Sequence, residues 1–283
     1  MMGHYVLPDP ALLYLDAPEA TQSAVKSLWD FVLPSENGLT ARVVSALAQA
    51  DVEWNLDDYS GFHHERMKIA ELAQTKTNNM IVLGGDLHDG FAWQVPSSGL
   101  VEGKPVFVNL GCASVTSPGF GPNFLPFFAS IQDAIGGKGA VYDILEKSFL
   151  RANPNLKSVN LELKGPTIVT VTRTTHTAEY FGVTDEDRVS DYPDARGDAL
   201  TATPVCKGRV VTMADEKGSL TAFDDCPTTV FATERPAVFD LPVSASSTDG
   251  LDTTLLGCGY RGCSFDASVN ATAAPTSAGT NDP

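Results

Sequence analysis

The run Met80-Ile-Val-Leu-Gly-Gly-Asp-Leu-His-Asp-Gly90 sets a carboxylate and an imidazole two residues apart, at Asp86 and His88, directly after a pair of glycines. Aspartate offers a hard anionic oxygen and neutral histidine a ring nitrogen. That mixed donor set suits iron, manganese or zinc better than magnesium alone. On an extended backbone, residues i and i+2 leave the same face, so the spacing predicts that Asp86 and His88 hold one metal ion or an adjacent pair. A blander reading stands beside it: an Asp after a strand also caps the next element, and a nearby His also hydrogen-bonds a loop. Gly84 and Gly85 have no Cβ atoms, so the chain can turn sharply there and a ligand can approach closely.

The elements that must position this pair are readable around it. Four apolar residues bounded by glycines predict a central parallel strand with helices on both faces and chemistry at its C-terminal end. Upstream, Val25, Leu28, Trp29 and Val32 repeat at helical spacing within 20–33, closed by Pro34, and a second short helix follows Thr40 with Val43, Val44 and Leu47 in a stripe. Residues 55–62 lack a period and read as a loop, in which Asp57 is a candidate for supporting a ligand and a solvated carboxylate is the competing view. His63 and His64 open a helix, where neighbouring side chains diverge by about 100° and chelate one ion poorly. Arg66 on that helix is expected to pair with a loop carboxylate. Downstream, Phe91–Val95 and Pro105–Leu110 read as strands, 118–126 as a rigid Pro-Gly-Phe loop, and 139–150 as a helix ended by Asn153-Pro154. Asn153 is a candidate for reaching a metal cluster or a phosphate oxygen, and helix termination accounts for it equally well. Three alternating runs between Val159 and Val183 predict a β-meander completing one sheet, with His176 in a turn. Cys112, after the second downstream strand, lacks a neighbouring base or cation and reads as a small hydrophobe.

Several of these stretches, in this order, resemble one family: Asn55-Leu-Asp-Asp-Tyr-Ser-Gly-Phe62, Glu65-Arg66, Val82-Leu-Gly-Gly-Asp-Leu-His88, Val115-Thr-Ser-Pro-Gly119 and Ala152-Asn-Pro-Asn155. Together they resemble the C-terminal half of alkaline phosphatase D, the PhoD-type secreted metallophosphatases, over roughly residues 1–183. Separated motifs that agree in order are more specific than any one alone. The resemblance implies an α/β fold, part of an α-β-β-α metallophosphoesterase-like sandwich. It also implies hydrolysis of phosphate monoesters and diesters at an iron and calcium cluster, with Asp86 and His88 at ligand positions and the nucleophile upstream of Met1. Tyr59 and Phe62 stand where the family has Trp and Tyr, and Asn155 where it has His. Its members are exported behind a signal peptide, which this sequence lacks before Met1-Met-Gly-His, so the chain reads as a C-terminal part or a wrongly started product.

Composition bounds the partners. Lys plus Arg number 19 against 35 Asp plus Glu, a formal charge of -16, so a nucleic-acid surface is not expected. A small phosphate ester would need local cations, which bound metal supplies. No apolar run approaches the roughly 20 residues of a membrane span. The organisation read from sequence is a partial catalytic domain over 1–184, a linker over 185–200, a small Cys-containing irregular or β extension over 201–270 and a disordered tail over 271–283. Cys206, Cys226, Cys258 and Cys263 lie in a stretch without histidine or a Cys-x-x-Cys pair. Disulfides are therefore favoured over zinc, and a secreted or periplasmic location is expected. The alternative function is a catalytically inactive extracellular binding or structural module.

Overall fold

Two strands in the middle of the chain explain the layering. In β2 (Gly90–Pro96) Phe91, Trp93 and Val95 alternate with Ala92 and Gln94, and in β3 (Pro105–Gly111) Phe107 alternates with Val108 and Leu110. Nearly every residue of both is buried, because both faces are covered. Phe91, Trp93, Val95 and Phe107 join a core made with the helices, whereas Ala92, Val108 and Leu110 join a second core made with another sheet. A strand covered on both sides loses the polar half of its alternation.

The computed structural model describes residues 4–32, 34, 39–53, 59, 61–98, 102–115, 117–183 and 204–227. They form a mixed α/β structure of helices on a four-stranded sheet that packs on a second four-stranded sheet. The helices are α1 (Glu19–Val32), α2 (Leu39–Gln49), α3 (His63–Lys76), α4 (Phe120–Phe128) and α5 (Lys138–Ala152). The first sheet also contains β1 (Ile81–Gly84) and β4 (Leu156–Asn160), in the order β1-β3-β2-β4. β1 runs parallel to β3, while β2 is antiparallel to both β3 and β4. The second sheet is wholly antiparallel, β5 (Thr167–Val171), β6 (Thr175–Gly182), β7 (Val205–Met213) and β8 (Thr221–Phe223) in sequence order.

The helices follow their apolar spacing. Val25, Leu28 and Trp29 of α1 are buried, as are Val141, Ile144, Leu145 and Phe149 of α5. Arg66, Ala70 and Ala73 form the buried stripe of α3, and the two alanines let it lie close against the sheet. Aromatic rings lock the N-terminal segment onto this layer: Tyr5 stacks on Phe149 at 5.7 Å between centroids and meets Trp93 edge-on at 5.9 Å.

Five features depart from the sequence reading. β1 lies at the margin of its sheet, half-buried at Ile81 and Val82 and exposed at Leu83 and Gly84; the central parallel strand is β3. The stretch read as a loop after Pro118 is instead α4, because Phe120, Phe124, Phe127 and Phe128 recur at helical spacing and pack on the core. The expected meander is divided, β4 closing the first sheet and β5 and β6 opening the second. The Asn160 side chain makes the turn, donating to the Leu163 carbonyl and accepting from the Leu163 amide, each at 2.9 Å. His176 sits within β6, opposite Val171 and Thr212, and burial lowers its pKa. Residues 205–223, assigned from sequence to the extension, supply β7 and β8, and β7 pairs with β6 along most of its length. Cys206 and Cys226 are joined in a disulfide. Cys258, Cys263, Asp57, the 185–200 linker and the 271–283 tail lie outside the described residues.

Candidate functional site

β1 ends at Gly84, and the chain then turns through 85–89 before entering β2. This turn is not extended: Asp86 has φ 29° and His88 φ 63°, both in the left-handed region. The extended-backbone rule that puts residues i and i+2 on one face therefore does not apply here. The Leu87 amide donates to the Gly85 carbonyl at 2.5 Å and the Leu87 side chain packs against the helical core, leaving Asp86 exposed and His88 half-buried on either side of it. Left-handed backbone costs a non-glycine residue about 1–2 kcal/mol, so the surroundings must hold this turn in place.

The surroundings do so with charge. His88 Nδ1 lies 3.1 Å from the Pro118 carbonyl oxygen. A carbonyl only accepts, so Nδ1 carries the proton and, in the neutral ring, Nε2 keeps its lone pair. The His88 carbonyl accepts from Lys164 Nζ at 2.7 Å, and Lys164 Nζ also donates to Asp89 Oδ1 at 2.9 Å. Asp89 Oδ2 accepts from the Phe120 amide at 2.6 Å. Both charged side chains are sealed from solvent, at 1% exposure for Asp89 and 0% for Lys164. Burial pushes the Asp89 carboxyl above its ordinary value, against the opposing pull of Lys164 and the Phe120 amide. Gly119 passes so close that a Cβ there would fall 1.9 Å from Asp89 Oδ1 and 2.5 Å from Lys164 Nζ. A cavity of about 200 Å³ opens beside the turn, lined by Tyr5, Leu87, Asp89, Phe91, Phe120 and Asn123 among others.

The other sequence candidates lie apart from this turn. Arg66 is fully buried on α3, its Nη1 donating to Glu53 Oε1 at 2.7 Å. Around the same carboxylate His4 Nδ1 stands at 3.0 Å from Oε1, and His63 Nε2 contacts Oε2. Glu53 would be raised by burial, but hydrogen bonds from His4 and Arg66, the Arg66 charge and a hydrogen bond from His63 hold it down at about 2. Asn153 caps α5 and is 1% exposed. Its Oδ1 accepts from the Val6 amide at 2.9 Å, and its Nδ2 donates to the carbonyls of Val6 at 3.0 Å and Phe149 at 2.9 Å. That amide ties the N-terminal segment to α5 and has no donor left for a phosphate oxygen.

Sequence reasoning missed Asp89, Lys164 and Glu53. Asp89 was in plain view beside His88, but Lys164 was readable only as part of a Lys-Gly-Pro turn, and its role depends on the chain crossing between sheets. As a metal site, the turn offers one exposed carboxylate and one imidazole nitrogen with its tautomer fixed by a carbonyl, the usual arrangement of a ligating histidine. Among the described residues, no group of three or more His, Cys, Asp or Glu side chains is arranged to hold a metal ion. By donor type alone, the two would need further ligands to hold an ion.

No curated protein matches the chain. Among solved structures it is similar to that of PhoD, at 16% identity and a TM-score of 0.39, over 62% of this chain and 28% of that one. The chain thus spans less than a third of that relative's length. A family model described as PhoD-like phosphatase matches residues 18–180, more than half of the sequence and the whole stretch that builds the first sheet and the Asp86–His88 turn. This chain belongs to the PhoD-like phosphatase family.

Proposed function

We propose that the chain takes part in metal-dependent hydrolysis of phosphate monoesters and diesters, with Asp86 and His88 as metal ligands at the end of β1. The observation that carries this reading is the His88 tautomer: Nδ1 bonded to the Pro118 carbonyl leaves Nε2 as the only ring atom for a cation, on a residue two positions from Asp86. Bound metal, iron and calcium by family resemblance, would polarise a phosphoryl oxygen or activate a nucleophile. Within this chain, Asp86 supplies an anionic oxygen, His88 a neutral nitrogen, and Leu87 anchors the turn between them. In a chain of formal charge -16, a small anionic ester would rely on that metal for attraction. The Cys206–Cys226 disulfide supports a secreted or periplasmic setting, and no helix among the described residues is long and apolar enough to cross a membrane.

Metal content and hydrolysis of bis(p-nitrophenyl) phosphate test the reading. Purified chain should retain metal, and His88→Ala should lose it together with any diester hydrolysis. Equal metal content in the variant would refute the ligand assignment. Metal retained by the full-length product without diester hydrolysis would instead favour an inactive extracellular binding module.

A further inference from the structure

We infer that the buried Asp89–Lys164 ion pair is the device that aims the His88 imidazole, and hence that both are positioning residues for the candidate metal site. The inference rests on the reading of His88 as a ligand, but its geometry stands alone. The bonds close a ring: from the His88 carbonyl to Lys164 Nζ at 2.7 Å, to Asp89 Oδ1 at 2.9 Å, from Asp89 Oδ2 to the Phe120 amide at 2.6 Å, along the backbone to Pro118, and from the Pro118 carbonyl to His88 Nδ1 at 3.1 Å. One end of the histidine is held through its backbone and the other through its ring, and the ion pair joins the two.

Three facts argue that the pair does more than fill space. Burying two charges is costly, and a well-packed apolar pair is often as stable, so a sealed ion pair is weak evidence for stability alone. Both charges are directed at the backbone of the site: each makes a bond to the 85–89 turn or to the segment that contacts it. The turn itself is held in left-handed conformation at Asp86 and His88, which a free loop would not keep. Lys164 is in turn fixed from behind, its amide and carbonyl both paired with Val183 at 2.9 Å. Gly119 completes the device by leaving room for the carboxylate.

Lys164→Met and Gly119→Ala, made separately in the full 283-residue chain, test this. The first removes the cation; the second keeps both charges but displaces the Asp89 carboxylate. Nitrogen-15 spectra of the His88 ring, assigned by difference from His88→Gln, report the tautomer, and broadening by added Mn2+ reports affinity for the metal alone. The parent should show protonated Nδ1. Both variants should shift population towards protonated Nε2 and weaken Mn2+ binding by about 10–100-fold, the usual effect of losing a group that orients a ligand. A folded variant with parental tautomer and affinity overturns the proposal, as does collapse of both variants, which would make the pair a folding element only. If the tautomer shifts while Mn2+ binding is unmoved, and His88→Ala binds Mn2+ as well as the parent, the aiming device stands and the metal assignment falls.

Discussion

Glu53 gathers His4, His63 and Arg66 around one nearly sealed carboxylate, and this arrangement sets a pH window for stability. Its folded pKa of about 2 lies below the ordinary 4.5, so its contribution is present above pH 4.5 and is lost as pH falls from there through about 2. His4 works in the opposite sense. Its pKa is raised by the Glu53 hydrogen bond, which outweighs burial, with Asp51 adding to the rise. Its contribution is therefore full below the ordinary 6.5 and is lost as pH rises through the folded value. Denaturant unfolding of parent and Glu53→Gln should differ most between about pH 4.5 and 6.5, by on the order of 3 kcal/mol for breaking a buried pair; the difference should vanish as pH falls through about 2 and, as His4 loses its proton, narrow at higher pH to the part that Arg66 keeps. A difference that does not vary with pH would refute this account. At this scale the sequence shows which residue types stand side by side at Asp86 and His88. It was opaque at Lys164, whose partners are remote along the chain, and at Glu53, where Arg66 was expected to meet a loop carboxylate but nothing singled out this one or its contact with His4. The backbone conformation of the Asp-Leu-His turn was also hidden, because left-handed dihedrals at non-glycine residues leave little trace in composition.

Among the elements, α4 is the instructive one. Its two prolines and two flanking or internal glycines argue for a loop, yet Phe120, Phe124, Phe127 and Phe128 present one apolar face. Pro122 falls in the first turn, where its missing N–H is not needed, and burial of the phenyl rings outweighs the breaker at Pro126. Phe128, fully buried against Trp29 at 5.7 Å, should be the anchor. Phe128→Ala is expected to cost about 3–5 kcal/mol in urea unfolding, and a loss below about 1 kcal/mol would mean that the helix does not depend on this contact. α1 and α5 were readable because their apolar stripes carry no competing signal. The sequence signal for β1 is right about its parallel pairing and wrong about a central place, since an apolar run of four residues does not reveal how many neighbours a strand has.

For the whole molecule, the alternation of apolar residues identified the strands but not the sheet each one joins. The division at Asn160 and the return of residues 205–223 to pair with β6 depend on contacts across the chain. The Cys206–Cys226 bond, 20 residues apart in sequence, ties β7 to the segment following β8. Replacing both cysteines by serine should lower stability by about 3 kcal/mol, the loop-closure value for that length. Thiol counting by mass spectrometry should find Cys112 reactive before reduction and this pair only after it; labelling of the pair without reductant would refute the bond. The crossover between the sheets has a wider consequence. Lys164 bonds Val183 through its backbone and His88 through its side chain, and Gly165 and Gly182 sit so tightly that added Cβ atoms would lie 2.4 Å and 2.8 Å from carbonyl oxygens of Phe181 and Lys164. A change at Gly182, on the far sheet, is therefore expected to reach His88 through Lys164. In a lineage carrying this architecture the two positions are expected to behave as one locus, the effect of a substitution at either depending on what occupies the other.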